Sequence, residues 1–190
     1  LDADFSDMRG FGQGSKYENV IGDHQDYDAS LIRAMFKDVK EQFWFGADYY
    51  SATLGDTMHD GAWLVWDKRL DESADRMYGS CFELIWSAQK HKRDMLRHKW
   101  AGLFGLDNDN REHPNQKPVR LYEDLMTRYV DEGALVVDLY AGSGVSFSAA
   151  HRTGRRCYGC ELSPRYADVI LRRATAEGLT VERVETPMEA

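Results

Sequence analysis

"VVDLYAGSG", residues 136–144, is an apolar run that stops at an aspartate and opens into a turn of small residues with two glycines. The run reads as the end of a strand over 134–138, and the residues behind it, 144–153, as a helix ended by Gly154. Glycines at such a junction let a ligand approach the backbone, while the helix amino terminus offers N–H groups that have no intrahelical partner. Further along, 156–161 reads as a strand, Ser163 as the cap of a helix over 164–177, and 179–184 as a last strand. Upstream, Pro118 opens a helix that carries Val119, Tyr122, Leu125, Met126 and Tyr129 on one face. Strand and helix therefore alternate through the second half. That alternation signals a parallel sheet covered on both faces, with ligands at the carboxyl ends of its strands.

The first half differs. Residues 1–27 are polar, with glycines at 10, 12, 14 and 22, and read as a long loop. Residues 28–40 carry Leu31, Ile32, Met35, Phe36 and Val39 at helical spacing, and short aromatic-rich runs at 43–47, 62–66 and 81–86 read as strands. No repeat or Pro/Gly linker divides the chain, and 190 residues with 43% hydrophobic content suit one domain over 1–190. No apolar run approaches the roughly 20 residues of a membrane span. Three cysteines, an odd number without a framework spacing, point to a reducing compartment, so the expectation is a cytoplasmic protein. Cys157 and Cys160 fall on opposite faces of a strand, which makes packing their expected role. The six histidines join no metal-ligand pattern, and no metal is expected. A net charge of −8 argues against indiscriminate coating of nucleic acid. Within that acidic chain, Lys90, Lys92, Arg93, Arg97 and Lys99 are concentrated in ten residues and are the candidate phosphate contacts.

Three ligand classes use a turn like the one at 138–144. A P-loop requires Gly-Lys-Ser/Thr, whereas Gly144 is followed by Val145 and Ser146. A dinucleotide fingerprint requires a third glycine for close helix packing, and Phe147 stands there. S-adenosylmethionine is left; it has no pyrophosphate and needs room for an amino acid and an adenosine. Glu161, 23 residues after Asp138 at the end of the next strand, would accept both ribose hydroxyls. The bland alternative is a glycine turn and a surface glutamate of an unspecified α/β protein.

"HPNQKP", residues 113–118, narrows the choice. Together with "DLYAGSG" and "CYGCELSPRYADVILRRA" it resembles the carboxyl half of the amino-group DNA methyltransferases, in the permuted order that places the cofactor motifs last. The resemblance covers about residues 43–178. It implies the Rossmann-like methyltransferase fold: a mostly parallel twisted sheet with helices on both faces and an antiparallel hairpin. It also implies methylation of an exocyclic amino group in double-stranded DNA, with adenine N6 preferred and cytosine N4 as the alternative. Asp138, Ala141, Gly142, Ser143 and Gly144 would face the methionine part, Glu161 the ribose, and Lys117 with Pro118 the far side of the cofactor. Residues 113–184 would form the cofactor half and 88–112 a short DNA-recognition insert. "FWFGADYY", 43–50, resembles the stretch near the target-base pocket; most of its rings are expected in the core, with Asp48 and Tyr49 at the rim.

One departure is large. The family's catalytic Asp/Asn/Ser-Pro-Pro-aromatic segment is not in this sequence, whose four prolines are never adjacent. Six strands are counted where the fold has seven, and the missing one would precede the helix at 28–40 and carry that segment. The expectation is that the chain starts just after it, so that 1–27 is a loop near the target base and the catalytic residues are unknown. A degenerate, inactive module is the competing explanation, and a dinucleotide-dependent oxidoreductase the more distant one. Carbon-5 cytosine chemistry is excluded within the chain, because no cysteine follows a proline. A homodimer is left open.

Overall fold

The computed structural model describes residues 20–21, 25–69, 80–99 and 112–184. Most of the expected loop at 1–27 and residues 100–111 of the expected insert lie outside the described residues.

Helix α1, Ser30–Met35, comes first, and it is shorter than the periodicity over 28–40 implies. The reason is a missing partner. Leu31 and Met35 are 69% and 68% exposed, and no α1 residue is buried, so nothing described here rewards extending the apolar stripe. Gln42 instead donates to the Phe36 carbonyl and closes the chain after the helix.

Strands β1 (Phe43–Phe45), β2 (Ala62–Asp67), β3 (Phe82–Ser87) and β4 (Asp94–Arg97) form one sheet in the order β1-β3-β2-β4. Helix α2, Ser51–Leu54, and a 3₁₀ turn at Asp56–Asp60 connect β1 to β2. β3 runs antiparallel to both β1 and β2, pairing Leu64 with Ile85, and β4 runs parallel to β2. The hairpin is therefore present, and this half of the molecule is mixed in direction. β4 was hidden in the sequence by its charges. It forms because Leu96 is fully buried and the Trp66 indole donates to the His98 carbonyl at 2.9 Å.

The second half follows the expected rhythm. Helix α3 is Val119–Tyr129, β5 Leu135–Asp138, α4 Val145–Arg152, β6 Arg156–Gly159 and α5 Pro164–Ala176, with β5 and β6 parallel. Residues 179–184 are not a strand: they carry no ladder, which corrects that expectation. Pro118 is the residue before α3 and not inside its first turn, and Ser163 stands at the start of α5 without a side-chain capping bond.

α3 joins the two sheets. Leu121 and Leu125 pack on Leu64, Trp66, Ile85 and Leu96, whereas Met126 packs on Ala149 and Ala150 of α4. One helix thus buries two sides, and truncating Leu121 to alanine is expected to cost about 2–5 kcal/mol. Among the described residues no helix is long and apolar enough to cross a membrane.

Candidate active site

The turn after β5 is built by backbone. Gly142 and Gly144 take φ of 54° and 76°, a region that side chains rarely adopt, and a Cβ at Gly144 would stand 2.9 Å from Ile170 Cγ1. Asp138 Oδ1 accepts the Tyr140 N–H at 3.0 Å, and the strand ends are tied by Cys160 N–H to the Asp138 carbonyl and Ala141 N–H to the Cys160 carbonyl. Phe147, where a dinucleotide site has its third glycine, packs toward β6: a Cβ at Gly159 would meet its ring at 2.7 Å. Close helix–strand packing is achieved here by the glycine on the facing strand.

Glu161 is brought onto this turn as expected. Its Oε2 accepts the Gly142 N–H and its Oε1 the Ser163 N–H, both at 2.8 Å. Ser143 is almost fully buried, and its hydroxyl has no hydrogen-bond partner among the described residues. Asp138, Ala141, Gly142, Ser143, Gly144 and Glu161 therefore form one constellation.

"HPNQKP" wedges against it. The buried His113 ring lies beside Gly142 and 4.2 Å, centroid to centroid, from Tyr166 of α5. Buried Gln116 accepts the Glu112 N–H at 3.1 Å and an Arg173 N–H at 3.4 Å. Neither residue was singled out from the sequence, although both lie in a motif that was. Lys117 reaches between the two sheets, its Nζ 3.8 Å from Glu83 Oε1 and 4.8 Å from the Phe45 ring centre, and it also feels the charge of Asp138. Burial pushes its pKa below the ordinary lysine value, and Glu83 opposes that shift.

Asp48 and Tyr49 line a hollow of about 460 Å³ with Lys68, Cys81, Phe82, Glu83 and Leu84. Tyr49 is 81% exposed, whereas Trp44, Phe45 and Tyr50 pack into the core. The five basic residues are exposed: Lys90, Lys92 and Arg93 precede β4, an edge strand of its sheet, Arg97 ends it and Lys99 follows it. Arg97 lies 3.8 Å from Asp67, while Lys90, Lys92, Arg93 and Lys99 have no ion pair among the described residues. α3 anchors this strand: Arg128 and the Tyr129 hydroxyl donate to Asp94 at 2.9 Å each, and His98 meets Asp124 at 2.8 Å. Those donors, Tyr129 foremost, hold the Asp94 carboxyl at about 2. Burial pushes the Cys157 thiol up to about 12, which suits a packing role, and Cys160 is exposed and free. Among the described residues no cluster of histidine, cysteine and carboxylate is arranged to hold a metal ion.

A DNA methylase family model, covering the N6 and N4 amino-group enzymes, matches residues 24–172. The chain belongs to the amino-group DNA methylase family. The methylase chain is 27% identical over 132 residues to the type II methyltransferase M2.DpnII of Streptococcus pneumoniae, which covers 64% of this chain and 45% of that protein. Its identity to M2.LlaDCHI of Lactococcus lactis subsp. cremoris is 23%, over 60% of this chain and 42% of that one. The methylase chain thus spans less than half the length of these curated relatives. The crystal structure of the M1.HpyAVI–SAM complex superimposes with a TM-score of 0.51 at 19% identity, covering 70% of this chain and 73% of that one. The PvuII cytosine-N4-specific DNA methyltransferase does so at 0.50 and 16%, covering 66% and 56%. These likenesses carry the fold, which is that of the DNA methyltransferases.

Proposed function

We propose that this methylase chain binds S-adenosylmethionine and serves in methylation of an exocyclic amino group in double-stranded DNA. Adenine N6 is the preferred target and cytosine N4 the alternative, since the family model spans both. The observation that carries the reading is Glu161: a carboxylate from the end of β6 lies against the glycine turn at the end of β5. The residues fit the cofactor. Each Glu161 oxygen accepts one backbone N–H and retains acceptor capacity for a ribose hydroxyl. Ser143 offers a buried hydroxyl with no partner among the described residues, and the positive-φ glycines leave the backbone of 141–144 bare for the methionine part. Lys117 and Pro118 would stand on the far side. When bound, the cofactor supplies a methyl group on a positively charged sulfur, open to direct attack by an amino lone pair.

The chain's own contribution is to bind and orient. Asp48 and Tyr49 would rim the pocket for a flipped base, where an exposed ring contributes about 1–3 kcal/mol by stacking. Lys90, Lys92, Arg93, Arg97 and Lys99 would contact phosphates from β4 and the residues that flank it. No catalytic residue is assigned, because the family's Pro-Pro segment is not in the sequence. The free cysteines suit a reducing cytoplasm.

Calorimetric titration with S-adenosylmethionine, with NADH as control, tests the cofactor reading. Micromolar binding of the first alone is expected, and binding of NADH in its place would sink it. Transfer of a labelled methyl group to duplex DNA, followed by nucleoside analysis, then separates N6-methyladenine from N4-methylcytosine. Cofactor binding without transfer would favour a non-catalytic module.

A further inference from the structure

Glu83 lies in β3, on the wall of the hollow, with 21% of its side chain exposed. Its two oxygens serve different lysines: Oε2 is 3.1 Å from Lys68 Nζ and Oε1 is 3.8 Å from Lys117 Nζ. Each ammonium also lies 4.8 Å from a ring centre, Lys68 at Trp66 and Lys117 at Phe45. The lysines come from separate parts of the fold. Lys68 follows β2 and lines the hollow, whereas Lys117 belongs to the segment whose His113 packs on the glycine turn. Two ammonium groups of this kind repel, and partial enclosure penalises both, unless a carboxylate stands between them.

We infer that Glu83 is a positioning residue shared by the two sites, holding Lys117 beside the cofactor segment and Lys68 in the wall of the base hollow. The inference rests on the cofactor and base readings for what the two sites bind, but its geometry does not. The other charged or titratable groups that face the cluster are Asp138 at the end of β5, Tyr122 of α3, and Asp48 and Tyr50 after β1. Burial keeps both phenols protonated well above neutral pH, so Glu83, Lys68 and Asp138 set the field at Lys117.

The test is an NMR titration of the whole chain with its lysines carrying ¹³C-methyl labels, Lys117 being identified by the signal lost in Lys117→Arg. Glu83→Gln removes the negative partner and should lower the Lys117 midpoint by on the order of one pH unit, whereas Lys68→Met removes a like charge and should raise it by about half a unit. Glu83→Gln should also weaken S-adenosylmethionine binding by about 3–10-fold, with Glu83→Asp restoring part of the loss. Opposite shifts establish the shared carboxylate, and they do so even if S-adenosylmethionine does not bind, in which case the cofactor reading falls alone. Shifts of the same sign, or below about 0.2 units in both variants, overturn the inference. Should Glu83→Gln fail to fold, Glu83→Asp decides by itself: drawing the carboxylate back by one methylene should lower the Lys117 midpoint by a smaller amount, and an unmoved midpoint overturns the inference.

Discussion

The β5–turn–α4–β6 unit and the β1-β3-β2-β4 sheet encode their chemistry differently. In the first, the groups proposed to face the cofactor are the backbone of 141–144, the Ser143 hydroxyl and the carboxylates of Asp138 and Glu161, all within a span of about 25 residues. In the second, the hollow draws Asp48 from the residues after β1, Lys68 from those after β2 and Glu83 from within β3. Glycines with positive φ and strand-end carboxylates leave a periodic trace in sequence. Side chains gathered from distant segments leave none, because nothing in local spacing says which strands will be neighbours.

The sharpest way to break this contrast is through glycine in the second region. A methyl at Gly61 would overlap the Ser87 carbonyl oxygen and the buried Trp86 indole, so Gly61→Ala should cost about 3 kcal/mol or more in urea unfolding. If the cost is below about 1 kcal/mol, the four-stranded sheet is looser around Gly61 than its close contacts imply. Next, Glu161→Ala should weaken S-adenosylmethionine binding about 10–100-fold by calorimetry, the worth of hydrogen bonds to a charged group. An unchanged affinity would return Glu161 to a mere clamp on Gly142 and Ser163.

A smaller effect tests how α3 fastens the basic strand. The Asp94 carboxyl is held below its ordinary 3.8, at about 2. A depressed folded-state pKa contributes stability that is present above the unfolded value and is lost as pH falls through the folded one. Asp94→Asn should therefore lower stability at pH 7 by about 1 kcal/mol, after discounting for solvent screening, and flatten the loss of stability between about pH 4 and 2. An acid limb identical to the parent's would show that Asp94 does not anchor β4. The smallest change concerns DNA. Lys92→Gln or Arg93→Gln should weaken duplex binding several-fold, whatever the sequence, and reduce the salt slope by about one each. Arg97→Gln should do less, since Asp67 already engages that side chain. Equal effects at all three would mean that the Asp67 pair is open in the complex.

Legibility followed the same division. The helices after Pro118 and Ser163 and the strands at β5 and β6 were readable because each buries one face at a regular period. Helix 28–40 was overread: its stripe is regular, yet Leu31 and Met35 meet no partner among the described residues. β4 was missed because four charged side chains surround a single buried leucine, Leu96. The strand expected at 179–184 was misread because an apolar alternation forms a strand only where a neighbour offers its backbone. His113 and Gln116 carry no local periodic signal of their own, and only the fold shows both buried, His113 against the turn and α5 and Gln116 against α5.

The sequence by itself determined the glycine turn, the carboxylate at the end of the following strand and the family to which both belong, since those features are local and need only a strand and a helix to take effect. Only the tertiary structure decided that Lys117 turns toward Glu83, that Gly159 supplies the space Phe147 takes up, and that Asp48, Tyr49 and Lys68 share one hollow. Each of those depends on which strands lie side by side, and that order is settled by burying Leu121, Leu125 and Met126 of one helix against two sheets at once.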